Sequence, residues 1–240
     1  MKPQIIVPDN VGIHNASDYA SRLHKSKTYR DLSTVIICPT RGLIPARVVQ
    51  SWQGLIRPMN QKVLGPVFMQ GMEVGEAYNA GIKMILENPE LSKFKYILTI
   101  EEDNLPPPDG LMRLYESMDD FDVVGGLYWT KGEGGQPMIY GNPSEIPKNF
   151  IPQLPIPDTL QPANGLGMGF NLFKLDMFKD PKFEYGEWFK TEQSYTPNKG
   201  VRVYTQDLYF YEKAGAIGYK FACDTAVKVG HYDVNTDIVW

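Results

Sequence analysis

Three acids in a row, Glu101, Glu102 and Asp103, stand directly after the apolar run "YILTI" (Tyr96 to Ile100), and Pro106, Pro107 and Pro108 follow closely. Crowded like charges repel, and a divalent cation relieves that cost. In an extended chain residues two apart project to the same side, so Glu101 and Asp103 are expected together. The prolines stiffen the exit and leave Asp109 to open a helix. The pattern reads as a strand end that holds a metal. The competing reading is a solvated acidic loop, with Glu102 capping something local.

Such a post needs a rigid frame. "STVIICPT" is short, continuously apolar and β-branched, as suits a strand covered on both faces. "RGLIPARVVQSWQGLI" follows at helical spacing through Val48, Val49, Trp52, Leu55 and Ile56, with Pro45 in the first turn. "KVLGPVFMQ" is a second strand, and "VGEAYNAGIKMILENPE" a helix with a face of Ala77, Ala80, Gly81, Met84 and Ile85, stopped at Pro89. After the acidic strand end, Leu111, Leu114, Tyr115 and Met118 form one more helical face, and "DVVGGLYW" is another strand.

Alternating strands and helices predict an α/β fold built on a mostly parallel central sheet with helices on both faces. Residues 1–33 read as an N-terminal extension, 34–130 as one half of a single domain, and 131–240 as an irregular second half. That second half carries the strand-like "LGMGFNLFKL" and "KFACDTAV" around a helix at "TQDLYFYEKAG". In open α/β sheets ligands bind beyond the carboxyl ends of the strands. "CPTRG", with Pro39, Thr40 and Arg41, and "EEDN" both fall at such ends and are expected to line one crevice.

At 240 residues, 42% of them hydrophobic, the chain can bury a full core. A formal charge of -4 argues against nucleic acid as a partner. No apolar run approaches the roughly 18 residues of a membrane helix, and "MKPQIIVPDN" lacks a secretory apolar stretch. Cys38 and Cys223 each sit inside a strand-like run, which suits buried thiols in a reducing cytoplasm.

The order "PTRG", a small-residue helix containing Asn79, "ILTIEEDNLPPPDGLMRL" and "VVGGLY" resembles GT-A-fold glycosyltransferases, particularly family-2-like ones. The resemblance spans roughly residues 33 to 233. In that family an acidic D-x-D-type motif at a strand end holds a divalent cation against the diphosphate of a nucleotide sugar. Here the motif reads Glu101-Glu102-Asp103, with Glu where Asp is commoner. "LGMGFNLFKLDMF" is similar to the family's glycine-containing strand, which borders the acceptor and the transferred sugar. "YTQDLYFYEKAG…AVKVGHYD" is similar to its acidic region and late histidine.

The resemblance implies a hexosyl transfer from a nucleotide-diphosphate donor to a glycan, lipid or protein hydroxyl, with inversion. By it Asp207 is the catalytic base, and Glu101, Asp103 and His231 are the metal ligands. Pro39, Thr40, Arg41, Asn79, Glu101 and Glu102 then serve the donor, and Trp129, Gly167 and Met168 the sugar or acceptor. An imidazole among oxygen ligands places Mn²⁺ ahead of Mg²⁺.

Each role has a plainer alternative. Asp207 suits a helix N-cap, Arg41 a surface ion pair, Asn79 a half-buried helix, and Trp129 the core. Gly167 and Gly169 allow close backbone approach, to a sugar or to a neighbouring strand. "KGEGGQP" lacks the Lys-Ser/Thr ending of a P-loop and reads as a loop that closes over the donor. The other function classes are a catalytically inactive binding protein of the same fold, a nucleotidyltransferase and a metal hydrolase. The basic residues of "PTRGLIPAR" are too sparse for triphosphate, and three histidines are too few for a metal hydrolase.

Overall fold

The run Val35-Ile36-Ile37-Cys38 is buried at every position because its side chains alternate between two cores. Val35 and Ile37 join Ile97, Val123 and Phe173 on one side of a sheet. Ile36 and Cys38 join Leu98, Val124 and Leu172 on the other. The computed structural model describes residues 30–197 and 200–240. The expected extension lies outside them, apart from its last four residues.

The first half runs β1 (Thr34–Thr40), α1 (Ala46–Gln53), β2 (Val63–Gln70), α2 (Val74–Glu87), β3 (Tyr96–Ile100), β4 (Asn104–Leu105), α3 (Gly110–Ser117) and β5 (Val123–Leu127). The second runs β6 (Ile139–Tyr140), β7 (Leu160–Ala163), β8 (Gly165–Leu166), β9 (Phe170–Lys174), β10 (Glu192–Thr196), β11 (Gly200–Tyr204), α4 (Gln206–Ala216), β12 (Phe221–Lys228), β13 (Gly230–Asp233) and β14 (Ile238–Val239).

Seven strands form the central sheet in the order β2-β1-β3-β9-β5-β12-β7. β2, β1, β3, β5 and β12 run one way, and β9 and β7 run the other. The expected mainly parallel α/β sheet is therefore present, built from strands of both halves. Helices cover both faces: α2 and α4 pack on one core through Tyr78, Ile82, Phe210 and Tyr211, and α1 and α3 on the other through Val48, Trp52, Leu111 and Tyr115.

Four expectations need correction. "LGMGFNLFKL" is not one strand. Its Gly167–Gly169 segment separates β8 from β9, and β9 lies antiparallel between β3 and β5. The faces of α1 and α2 are rotated slightly, leaving Val49 and Met84 more than one-third exposed. Asp109 occupies the N-cap position of α3, yet its carboxylate accepts Arg113 Nε at 2.9 Å instead of a helix N–H. Thr205, not Asp207, is the N-cap residue of α4.

No helix among the described residues is long and apolar enough to cross a membrane. Both cysteines are buried and free.

Candidate active site

Because β1, β3, β5 and β12 run in one direction, their carboxyl ends share one edge of the sheet, where antiparallel β9 begins. Ile100 pairs with Phe170 at that edge, and Glu101 N–H donates to Gly169 O at 3.2 Å. The chain then turns, with Asn104 N–H on Glu101 O at 3.0 Å. The extended geometry expected for the acidic run is absent, and the three carboxylates part company.

Glu102 points back to β1. It is only 8% exposed and accepts the Thr40 hydroxyl at 2.7 Å, the Arg41 N–H at 2.8 Å and the Arg41 guanidinium. Burial pushes its carboxyl up, and these donors more than offset that, holding it below the usual range. Thr40 Oγ1 in turn accepts Gly42 N–H at 2.9 Å. Glu102 thus staples the "PTRG" turn to the end of β3.

Glu101 turns toward α2 and accepts the Tyr78 hydroxyl at 3.1 Å. Burial first, then the charges of Asp103 and Asp207, push its carboxyl up to about 7, against the Tyr78 bond and the His231 charge. A carboxyl in this setting holds its proton close to neutrality.

Asp103 meets His231. β4 pairs antiparallel with β13, placing His231 opposite Asn104, and Tyr232 N–H donates to Asp103 O at 2.7 Å. His231 Nε2 then lies 3.5 Å from Asp103 Oδ2. The other ring nitrogen, Nδ1, is 2.7 Å from Trp129 O and donates its proton there, so the ring is held with Nε2 facing Asp103. Tyr128 stacks edge-on against the imidazole, with centroids 5.5 Å apart. Burial pushes the Asp103 carboxyl up, but His231 and Lys131 outweigh it and hold it below its ordinary range.

Among the described residues no three His, Cys, Asp or Glu side chains converge as a metal cluster. The expected trio of Glu101, Asp103 and His231 is therefore not assembled, because Glu101 is turned to Tyr78. The remaining pair fits a cation. Adjacent ligands of an octahedral ion at about 2.1 Å lie about 3 Å apart, close to the 3.5 Å seen here. One carboxylate oxygen and one oriented imidazole are suitable donors for Mn²⁺.

The other predicted residues divide. Asp207 is 6% exposed in the first turn of α4 and accepts the Leu208 N–H at 2.9 Å. Burial pushes its carboxyl up, and its charge is felt at Glu101, Tyr128 and Tyr140. Trp129 follows β5, 36% exposed, with its carbonyl on His231. Pro39 lies in β1 beside Thr40, opposite Met69 of β2.

Asn79 spends its amide on Phe189, donating to its carbonyl at 2.7 Å and accepting its N–H at 3.0 Å. It lines a cleft of about 580 Å³ with Glu73, Glu76, Glu187 and Lys190, but its own polar atoms are engaged in the fold. Met168 is buried, and a Cβ on Gly167 would fall 2.2 Å from the Tyr128 hydroxyl. The bare backbone at Gly167 thus leaves room for the Tyr128 side chain, just past β5. A Cβ on Gly169 would strike the buried Asn104 side chain at 2.6 Å.

Sequence reading missed Tyr78 and Tyr128, and placed Lys131 only within a loop closing over the donor. The tyrosines look like core residues in their periodic runs. Lys131 carried a usable signal, as a lone cation opening a glycine hairpin at a strand end.

No protein-family model matches the chain, and a search of curated proteins gave no match. Solved structures do resemble it. A197 from STIV aligns over 84% of this chain and 86% of its own, with a TM-score of 0.56 and 17% identity. GalNAc-T7, solved with UDP, GalNAc and Mn²⁺, aligns over 85% of this chain at TM-score 0.52 and 9% identity. This chain spans 44% of that longer protein. At such identities the likeness concerns architecture, and the architecture of this chain is the GT-A fold.

Proposed function

We propose that this protein is a glycosyltransferase of the hexosyltransferase type, moving a sugar from a nucleotide-diphosphate donor to a hydroxyl of a glycan, lipid or protein. The observation that carries the reading is the Asp103–His231 pair at the carboxyl edge of the sheet, its imidazole oriented by the Trp129 carbonyl. Asp103 and His231 would hold a divalent cation, Mn²⁺ ahead of Mg²⁺, while Glu101 stays on the Tyr78 hydroxyl. When bound, that ion stabilises the charge that accumulates on the leaving diphosphate.

The protein's own groups do the rest. The acceptor oxygen sheds a proton as it attacks, and Asp207, raised by burial, is the base that takes it. Attack from the face opposite the leaving group inverts the anomeric carbon. Glu102 presets Thr40 and Arg41 toward the nucleotide, and the half-exposed Trp129 ring offers a face to the sugar. Two buried thiols suit work in the cytoplasm.

The test incubates the protein with a panel of UDP, GDP and other nucleotide sugars, in Mn²⁺ or EDTA, and measures released nucleoside diphosphate. Metal-dependent release from one donor, lost in Asp103→Ala, is expected. An Asp207→Asn variant that transfers at the wild-type rate removes that residue as base. Tight nucleotide binding without turnover would make the protein a binding module instead.

A further inference from the structure

Lys131 has no part in the transfer described above, yet it sits at the centre of the site. Its Nζ is 2.5 Å from Asp103 Oδ2, the same oxygen that faces His231 Nε2. The hairpin delivering it is tightly closed. Thr130 N–H donates to Gln136 O at 2.9 Å, Gln136 N–H to Thr130 Oγ1 at 2.8 Å, and Gly135 N–H to Gly132 O at 3.1 Å. A Cβ at Gly135 would lie 2.4 Å from Thr130 O, so the closure requires glycine there. The Trp129–Pro137 bridge fastens its base, and the Trp129 carbonyl orients His231.

One short hairpin thus controls both members of the candidate cation pair. The Lys131 side chain remains 30% exposed and that of Asp103 20%, so the ammonium has an open path back to water. An ammonium and a divalent cation cannot share one carboxylate oxygen without strong repulsion.

We propose that Lys131 is the resident counter-cation of Asp103, that it gives up this oxygen to an arriving divalent cation, and that its freed ammonium then binds the diphosphate of a nucleotide. The exchange rests on the cation site proposed above. It makes Lys131 a competitor of the metal and a partner of the anion.

These two roles have opposite signs, which makes them testable on Lys131→Ala and Lys131→Arg. The first measurement titrates Mn²⁺ alone, without nucleotide, and follows the free-ion EPR signal. Lys131→Ala should bind Mn²⁺ about tenfold more tightly than wild type, and Lys131→Arg close to wild type. The second titrates UDP and GDP at saturating Mn²⁺, where Lys131→Ala should bind about fivefold more weakly or worse.

Unchanged or weaker Mn²⁺ binding by Lys131→Ala overturns the exchange, as does the absence of Mn²⁺ binding in both proteins. Unchanged diphosphate binding overturns the second role. Failure of the transferase reading has a different signature. Sugar transfer that persists in EDTA keeps the transferase and removes the exchange. Mn²⁺ exchange without turnover of any donor keeps the exchange and removes the transferase.

Discussion

Replacing Glu102 by Ala should cost about 3 kcal/mol of stability, and the figure follows from its partners. Two donors, the Thr40 hydroxyl and the Arg41 N–H, bond a carboxylate that is 11% exposed in its side chain. Hydrogen bonds to a charged group contribute about 1.5 kcal/mol each or somewhat more. The Arg41 guanidinium adds little, because its side chain is 83% exposed and solvent screens the pair. For a chain of this length, about 3 kcal/mol lowers the melting temperature by roughly 6–12 °C.

The assay is urea and thermal unfolding of Glu102→Ala, Thr40→Val and the double variant. The cycle should return a coupling of about 1 kcal/mol between the two side chains. The pH dependence is also fixed in sign. The folded carboxyl sits below its unfolded value, so its stabilisation is complete above the unfolded pKa and is lost as pH falls through the folded one. The gap between wild type and Glu102→Gln should therefore narrow below about pH 4. A loss under 1 kcal/mol with additive double-variant energetics, or a gap that widens in acid, would refute the staple.

Glu101 predicts the reverse trend in metal-free protein. Its folded carboxyl is raised to about 7, so wild-type stability falls as pH climbs from the unfolded value to neutrality. Glu101→Gln should match wild type near pH 4 and exceed it by up to about 3 kcal/mol at pH 8, read by urea unfolding. Asn79→Ala should lose about 2 kcal/mol by stripping both backbone bonds from Phe189, measured the same way. Gly167→Ala forces Tyr128 to move and should cost about 1–3 kcal/mol. Since Tyr128 also packs on His231, Mn²⁺ affinity should fall with it, as titration would report.

The regular part of the fold was legible because covered strands and amphipathic helices leave periodic traces. Val35 to Cys38 and Leu111 to Met118 announce themselves. The antiparallel placement of β9 was not legible, because a strand buried on both faces has the same apolar composition in either direction. Proximity at the carboxyl edge was readable for Asp103, since it follows the apolar strand by only three residues. Its pairing with His231 came from family resemblance and depends on β13 lying beside β4, a contact between residues far apart in sequence. The turn at Glu101 was hidden for a local reason. Nothing in "EEDN" reveals that Tyr78 and Arg41 will draw two of the acids in different directions.

The reversed strand β9 carries one further consequence. It fills the gap between β3 and β5, which are finished more than forty residues before it along the chain. On the ribosome, both neighbours emerge with bare amide and carbonyl rows pointing at each other across an empty lane. Such unpaired borders invite pairing with other nascent chains. A product truncated before Phe170 should therefore precipitate rather than persist as a half-domain, and synthesis in cells should lean on chaperones until the middle strand is laid in.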